Sequence, residues 1–352
     1  MAENTAVVTT QPPAWKSFLK SLLPYLIAVV AAFAAVGVLL ALMGFDVLRA
    51  YSTILFTSFR TPNGIVQTLN KFVPLLLVTY SFTIPLAAGK FNIGGEGQLI
   101  AGAIGAAAVG ILFASLPMIL LLPLVLVAGV VFGALWMLLP AWLLYRFNIN
   151  EILTTVLMNF VAFETIDYVA TKVWPDLAAG HPTTVPIGPG GKLPMLIANP
   201  PLHSGLIIAL IVAVLVAVYI GRTSAGYDLI ATGANPRASR VFGIKVGRMF
   251  FLSMMLGGAV AGLAGAIEVA GVHGRLIEGL QSNFLLLGIV IGLIAKGNNA
   301  AVPFVAFFIA VLEVGASAMQ RTLQIPGEMV LIVEALILIF VLLSDVVQRR
   351  RG

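Results

Sequence analysis

Lys90-Phe91-Asn92-Ile93-Gly94-Gly95-Glu96-Gly97-Gln98 places one carboxylate and two amides among three glycines, between long apolar runs. Glycine weakens a helix, so this density predicts unwound backbone between two half-helices. Unpaired backbone is tolerated at membrane depth only where it is buried in protein or lines a wet cavity. The chemistry on offer is hydrogen bonding to a polar solute, or gating of its passage, by Asn92, Glu96 and Gln98. A tight cytoplasmic turn, which Lys90 would suit, explains the same residues without a solute.

A second polar group opens a later apolar run, Asn150-Glu151-Ile152-Leu153-Thr154-Thr155-Val156-Leu157-Met158-Asn159. Asn150 suits a helix N-cap and Glu151 the positive end of the helix dipole. Thr154, Thr155 and Asn159 lie deeper and need partners inside a bundle. Glu164 and Asp167, three apart, share a helix face, and Glu268, Glu313 and Glu334 also fall in or near apolar runs. The candidate solute path comprises Phe91, Asn92, Gly94, Gly95, Glu96, Gln98, Asn159 and Glu164. The scattered acids also allow a proton-coupled secondary transporter, with Glu164 and Asp167 as carriers.

The third group is the basic stretch Arg222–Arg248. Asn235-Pro236 is a strong helix start, with Asn as N-cap and Pro at the first helical position, where its missing N–H costs nothing. Pro236 to Phe242 makes about two turns and Gly243 suits the stop. A short helix should therefore display Arg237 and Arg240. Gly233, Asn235, Pro236, Arg237, Arg240 and Gly243 are candidates for contact with a soluble partner. A basic loop that merely fixes topology would not need a capped helix.

Catalytic patterns are absent. No Gly-x-x-x-x-Gly-Lys-[Ser/Thr] loop, His-Glu-x-x-His or Gly-x-Ser-x-Gly occurs, and there is no cysteine. His181, His203 and His273 lie far apart in the sequence, so a shared metal is not expected. If ATP drives this chain, another chain hydrolyses it, and no cofactor is assigned to this one.

The elements that position these groups follow from composition. The chain is 60% apolar, only 10% charged, and has a mean hydropathy of +1.06. Soluble domains carry about 25% charged residues, so most of this surface must face lipid. Positive charges sit at the ends of apolar runs, without interleaved aromatics, which argues against nucleic acid. A crossing needs about 20 apolar residues. That rule gives ten segments, near 22–43, 70–89, 93–113, 117–145, 150–172, 203–220, 249–271, 283–296, 300–319 and 327–346. The run 283–296 is too short to cross upright. The expected fold is an all-α polytopic membrane protein of about ten transmembrane helices. With the N-terminus inside, thirteen Lys and Arg fall on the cytoplasmic side and seven outside, so both termini are cytoplasmic.

The organisation is a cytoplasmic tail (1–21), one membrane domain (22–346) and a basic C-terminus (347–352). Within the domain lie the cytoplasmic loop 221–248 and outer connections 44–69 and 173–202. The latter, rich in Pro and Gly, should form an outer lid, a docking surface or a passive linker. Small residues four apart, Gly102/Ala106/Gly110, Gly129/Gly133 and Gly258/Gly262, mark close helix packing.

These stretches resemble the membrane permease subunits of bacterial ATP-binding-cassette (ABC) importers, in the branch serving ribose, branched-chain amino acids and nucleosides. The likeness is nearest to guanosine-type permeases. Phe91-Asn-Ile-Gly-Gly-Glu-Gly-Gln98 is similar to a family signature, and Asn150–Asn159 to its Asn-Glu segment. Gly233–Ile244 resembles the cytoplasmic coupling loop, and Gly297-Asn-Asn through Gln320 the late helices. Where a Gly-Phe-Asp-Gly-like stretch would be expected, this chain has Glu278-Gly-Leu-Gln-Ser-Asn-Phe284.

The resemblance implies a second permease subunit, paralogue or copy, and an ABC ATPase subunit holding ATP and Mg. It also implies an extracytoplasmic substrate-binding protein, membrane lipid around the chain, and a multi-pass location in the bacterial inner membrane. The implied task is nucleoside import; a simple sugar or a branched-chain amino acid is the alternative.

Overall fold

The computed structural model describes residue 27, residues 30–325, and residues 331, 332, 335, 336, 339, 340 and 343. The expected tails 1–21 and 347–352 lie outside the described residues, as do Glu334 and most of segment 327–346. Seven described helices are long and apolar enough to cross a membrane. These are α3 (Pro62–Ala87), α4 (Gly95–Leu112), α5 (Met118–Phe147), α6 with its π-helical extension (Glu151–Val173), α7 (Gly205–Arg222), α10 with its π-helical extension (Val246–His273) and α12 (Val302–Leu323). Shorter helices are α1 (Val30–Leu42), α2 (Val47–Arg60), α8 (Ser224–Ala234), α9 (Pro236–Val241) and α11 (Phe284–Ile294).

The chain divides into two compact units, Met1–Thr53 with Ala316–Gly352, and Ile54–Gly315. In the first, the Tyr51 ring meets Phe33 edge-on at 5.4 Å and its hydroxyl donates to the Phe33 carbonyl.

The second unit is built around α3, α4, α5 and α10. Along α3 the most apolar stretch is 78% buried, against 28% in α5, α6 and α7, so α3 lies inside the bundle and the others turn apolar faces outward. Backbone-to-backbone packing holds the centre. A Cβ on Gly262 would lie 2.1 Å from the Gly129 carbonyl oxygen, and one on Gly102 would lie 2.3 Å from Gly262. A Cβ on Gly265 would lie 2.0 Å from the Leu99 oxygen. The small-residue spacing read from the sequence therefore joins α4, α5 and α10.

Two expectations are corrected. The connection 44–69 is largely helical: α2 occupies Val47–Arg60, and α3 starts at Pro62, capped by Thr61, whose hydroxyl accepts from the Gly64 amide at 3.1 Å. A 14-residue helix carrying Arg49, Ser52, Thr53, Ser58 and Arg60 fails a rule that looks for 20 apolar residues. The loop 221–248 holds two helices, not one. Thr223 caps α8 by accepting from the Gly226 amide at 3.0 Å.

The connection 173–202 carries a 3₁₀ turn (Pro189–Gly191) and the antiparallel pair β1 (Met195–Ile197) and β2 (Leu202–His203). It is stitched onto the chain after α10. The Thr184 amide donates to the Leu276 carbonyl at 2.9 Å, the Ile187 amide to Gly274 at 3.0 Å and the Leu193 amide to Ala270 at 2.8 Å. Arg275 meets Asp176 at 2.7 Å. A passive linker would leave these amides to water.

Candidate functional site

After α3 the chain turns at Gly89 (φ +73°) and runs without helix from Lys90 to Gly94 before α4 begins. Side chains pair much of the unwound segment. Asn92 donates through Nδ2 to the Ser81 carbonyl (3.1 Å) and to Gln98 Oε1 (2.9 Å), while its Oδ1 accepts from Gln98 Nε2 (2.8 Å) and the Gly94 amide (3.0 Å). From α6, Asn159 donates to the Ile93 carbonyl at 2.8 Å and accepts from the Gly97 amide at 2.8 Å. The Thr155 hydroxyl accepts from the Ile93 amide at 3.2 Å. The Ile93 amide and carbonyl and the Gly94 and Gly97 amides have thus found side chains, as apolar surroundings require.

The glycines have a spatial reason. A Cβ on Gly94 would approach Gln98 Nε2 at 2.8 Å and Thr155 Cβ at 2.9 Å; one on Gly97 would meet the Trp136 nitrogen at 2.9 Å. Beside the unwound segment Lys90 pairs with Glu151 at 3.3 Å, and Asn150 caps α6 as its sequence suggests.

The structure brings Asn92, Gly94, Gly95, Glu96, Gln98 and Asn159 together. Phe91 is partly exposed beside Phe82, with ring centroids 6.2 Å apart. Glu164 stays out of the cluster: it is exposed, and half-buried Asp167 lies further along the same helix.

Glu96 is the only acid in this segment, and its carboxylate accepts a hydrogen bond from the backbone of Leu285, in the first turn of α11. That helix lacks a cap of its own. Asn283 sits at its N-cap in the left-handed region (φ +58°) and makes no capping bond. Glu96 therefore caps α11 from another part of the chain, with its carboxyl at the positive helix end.

The depth of this contact follows from packing along α3. Gly288 lies against Val78 and Thr79, Gly292 against Phe82 and Thr83, and Gly297 against Leu86. α11 thus runs parallel to α3, and at 1.5 Å per residue Phe284 stands roughly level with residue 74, near the middle of α3. Lys71, with its ammonium 4.5 Å from the Phe284 ring centroid and 3.4 Å from Glu313, agrees with that level.

The chain therefore reaches the middle of α3's length before α11 begins. Just there stand Gln281, whose Oε1 is buried without a partner among the described residues, and exposed Ser282 and Asn283, both with positive φ. Sequence reasoning left these three out of the site. The signal was visible: a polar run, Gln-Ser-Asn, directly before an apolar segment too short to cross.

In the basic stretch Asn235 caps α9 by accepting from the amides of Arg237 (3.1 Å) and Ala238 (3.0 Å), and Gly243 ends the segment at φ +85°. Arg237 and Arg240 are exposed, and Val241 and Phe242 are each 85% exposed, which leaves an apolar tip unpartnered among the described residues. Gly233, at the end of α8, packs on the turn after α3; a Cβ there would lie 2.3 Å from the Ala87 oxygen.

In the 173–203 connection His203 is buried, with both ring nitrogens unpaired among the described residues. Its ring is pressed between Gly205 and Gly271, where a Cβ would approach it to 2.5 Å and 2.8 Å. Burial pushes the imidazole pKa down to about 4.

Residues 64–342 match the branched-chain amino acid transport system / permease component family. Among curated relatives, the chain is similar to the glucose ABC transporter permease of Haloferax volcanii, at 33% identity over 96% of this chain and 90% of that one. It is also similar to the nucleoside ABC transporter permease of Lactococcus lactis subsp. cremoris (29%; 94% and 92%). The guanosine ABC transporter permease of Bacillus subtilis shares 31% identity over 92% and 93%. No solved structure matches.

Proposed function

We propose, from the premise that this chain belongs to the branched-chain amino acid transport system / permease component family, that it forms the path by which an ABC importer moves a nucleoside across the bacterial inner membrane. The observation that carries the reading is the meeting of Glu96 with the N-terminus of α11 inside the span of α3. Broken helices at membrane depth are where transporters place their solute. The solute station is assigned to Glu96, Gln281, Ser282 and Asn283: acceptors and donors suited to ribose hydroxyls and the edge of a base.

Asn92, Gln98 and Asn159 have a supporting part, because their hydrogen bonds go to each other and to the backbone. Phe91, Gly94 and Gly95 shape the same segment. Glu164 is left outside the station.

This chain hydrolyses no ATP; a separate ATPase subunit holding ATP and Mg engages α9, with Arg237, Arg240 and the apolar tip Val241–Phe242. The second permease subunit and an extracytoplasmic binding protein complete the machine. Closure of the ATPases pushes α9; α8 carries the push through Gly233 onto the turn at Gly89, one residue before the unwound segment. Transport then requires that ATP change the relative stability of inward and outward states.

Two relatives named for nucleosides support that solute, and the one named for glucose supports a sugar as the second reading. The test is uptake of labelled guanosine by cells expressing this chain with its neighbouring ATPase and binding protein, challenged with excess unlabelled nucleosides or glucose. Nucleosides compete if the proposal holds. Competition by glucose alone transfers the station to a sugar.

A further inference from the structure

Between the cytoplasmic end of α5 and the α9–α10 junction lies a cavity of about 600 Å³ that solute transport does not use. Three cations, Arg240, Lys245 and Arg248, and three aromatic rings, Trp142, Tyr145 and Phe251, line it. All three cations are exposed. The ion pairs found among the described residues, Lys71–Glu313, Lys90–Glu151, Glu268–His273 and Asp176–Arg275, reach none of them.

The aromatic wall is built rather than incidental. The Tyr145 ring lies against Gly247, where a Cβ would approach it to 2.9 Å, and meets Phe251 nearly edge-on with centroids 6.1 Å apart. Trp142 stands edge-on to Phe147 at 5.2 Å. Trp142 and Tyr145 remain about half exposed, at the point where the outward apolar face of α5 ends. Amphipathic rings at such a level belong to the membrane–water interface. The first turn of α10 adds amide donors: no acidic residue occupies it, and Lys245 gives no side-chain cap.

We propose that this cavity binds the phosphate headgroup of an anionic phospholipid of the cytoplasmic leaflet. Lys245 and Arg248 supply the attraction, the α10 amides the hydrogen bonds, and Trp142 and Tyr145 the seat for the upper acyl chain. A basic pocket between helices on this side of a membrane suits such a headgroup. The apolar tip Val241–Phe242 lies outside the cavity wall and stays free for a protein partner.

The test is quenching of Trp142 fluorescence in the full chain reconstituted into phosphatidylcholine vesicles containing brominated phosphatidylglycerol or brominated phosphatidylcholine. Subtracting the Trp142→Phe signal removes Trp15, Trp136 and Trp174. Brominated phosphatidylglycerol should reach half-maximal quenching at a mole fraction about tenfold lower, because basic residues at this level attract anionic headgroups. Lys245→Gln with Arg248→Gln should abolish the preference and leave quenching by brominated phosphatidylcholine unchanged, which also reports an intact fold.

Equal quenching by the two lipids in the unaltered chain overturns the proposal without reference to any variant. So does a preference that survives the double substitution. Reversal by soluble glycerol phosphate would assign the cavity to a free phosphate, and loss of the preference on adding the ATPase subunit would assign it to that protein.

Discussion

Asn92 and Gln98 bind each other through both ends of their amides, at 2.9 Å and 2.8 Å, in a pocket closed to solvent. The Ser81 carbonyl can only accept, which fixes the face that Asn92 turns to it. Replacing either residue with Leu takes from the other, still buried, both bonds of the pair, at a cost of about 1–3 kcal/mol. The double replacement should cost clearly less than the sum of the two singles, because it removes both orphans together. Thermal unfolding of the four proteins in detergent measures this, and additive losses would dissolve the pair.

The glycines of the bundle offer a sharp internal contrast. Gly262→Ala drives a methyl to 2.1 Å from the Gly129 oxygen, whereas a methyl on Gly221, near the end of α7, would have nothing within 4 Å. The first should lower stability by about 2–3 kcal/mol by forcing α5 and α10 apart. Gly221→Ala should be neutral or gain up to about 1 kcal/mol, as helix propensity favours alanine. Melting temperatures of the two variants check it.

This contrast also shows how far the sequence could be read. Spacing of four marked Gly258, Gly262, Gly129 and Gly133 as packing positions, because lipid leaves close backbone approach as a main source of association. The Asn235-Pro236 start and the Gly243 stop were equally legible, since caps and φ are local. The role of Asn92 and Gln98 was not: a glycine-rich polar break reads alike whether its amides face a solute or one another. Which it is depends on Ser81 and Asn159, brought there by tertiary packing. Glu96 as a cap for α11 was hidden for the same reason, with about 190 residues between the partners. α2 and α8 escaped because a span-length rule ignores short amphipathic helices. His203 gave no pattern at all; its burial comes from the folded outer connection.

Glu96 separates charge from hydrogen bonding. Glu96→Gln keeps an acceptor for the Leu285 amide but loses the interaction with the helix dipole, about 1 kcal/mol, so guanosine uptake should fall several-fold. Glu96→Leu removes both and should abolish uptake at normal protein levels in the membrane. Equal activity in all three proteins would remove Glu96 from the station.

His203 predicts a pH dependence of stability. Its folded-state pKa, about 4, lies below the ordinary value of 6.5, so the unfolded chain binds the proton more readily. Stability should therefore be constant above about pH 6.5 and decline as the pH falls toward 4, by at most roughly 3 kcal/mol. His203→Leu should flatten that part of the profile. Melts in detergent between pH 4 and 7.5 decide it, and an unchanged slope in the variant would place the titrating group elsewhere.

The central claim is that this chain is a conduit powered from outside itself through α9. The direct measurement is guanosine uptake into vesicles holding this chain with its ATPase and binding protein, with ATP supplied to the ATPase side, and a protonophore added in parallel. The account predicts uptake that stops without ATP, continues with the protonophore, and is lost in Arg237→Glu/Arg240→Glu protein that still folds. Uptake that needs no ATP and collapses with the protonophore would contradict it and return the acids of α6, Glu164 and Asp167, to the centre.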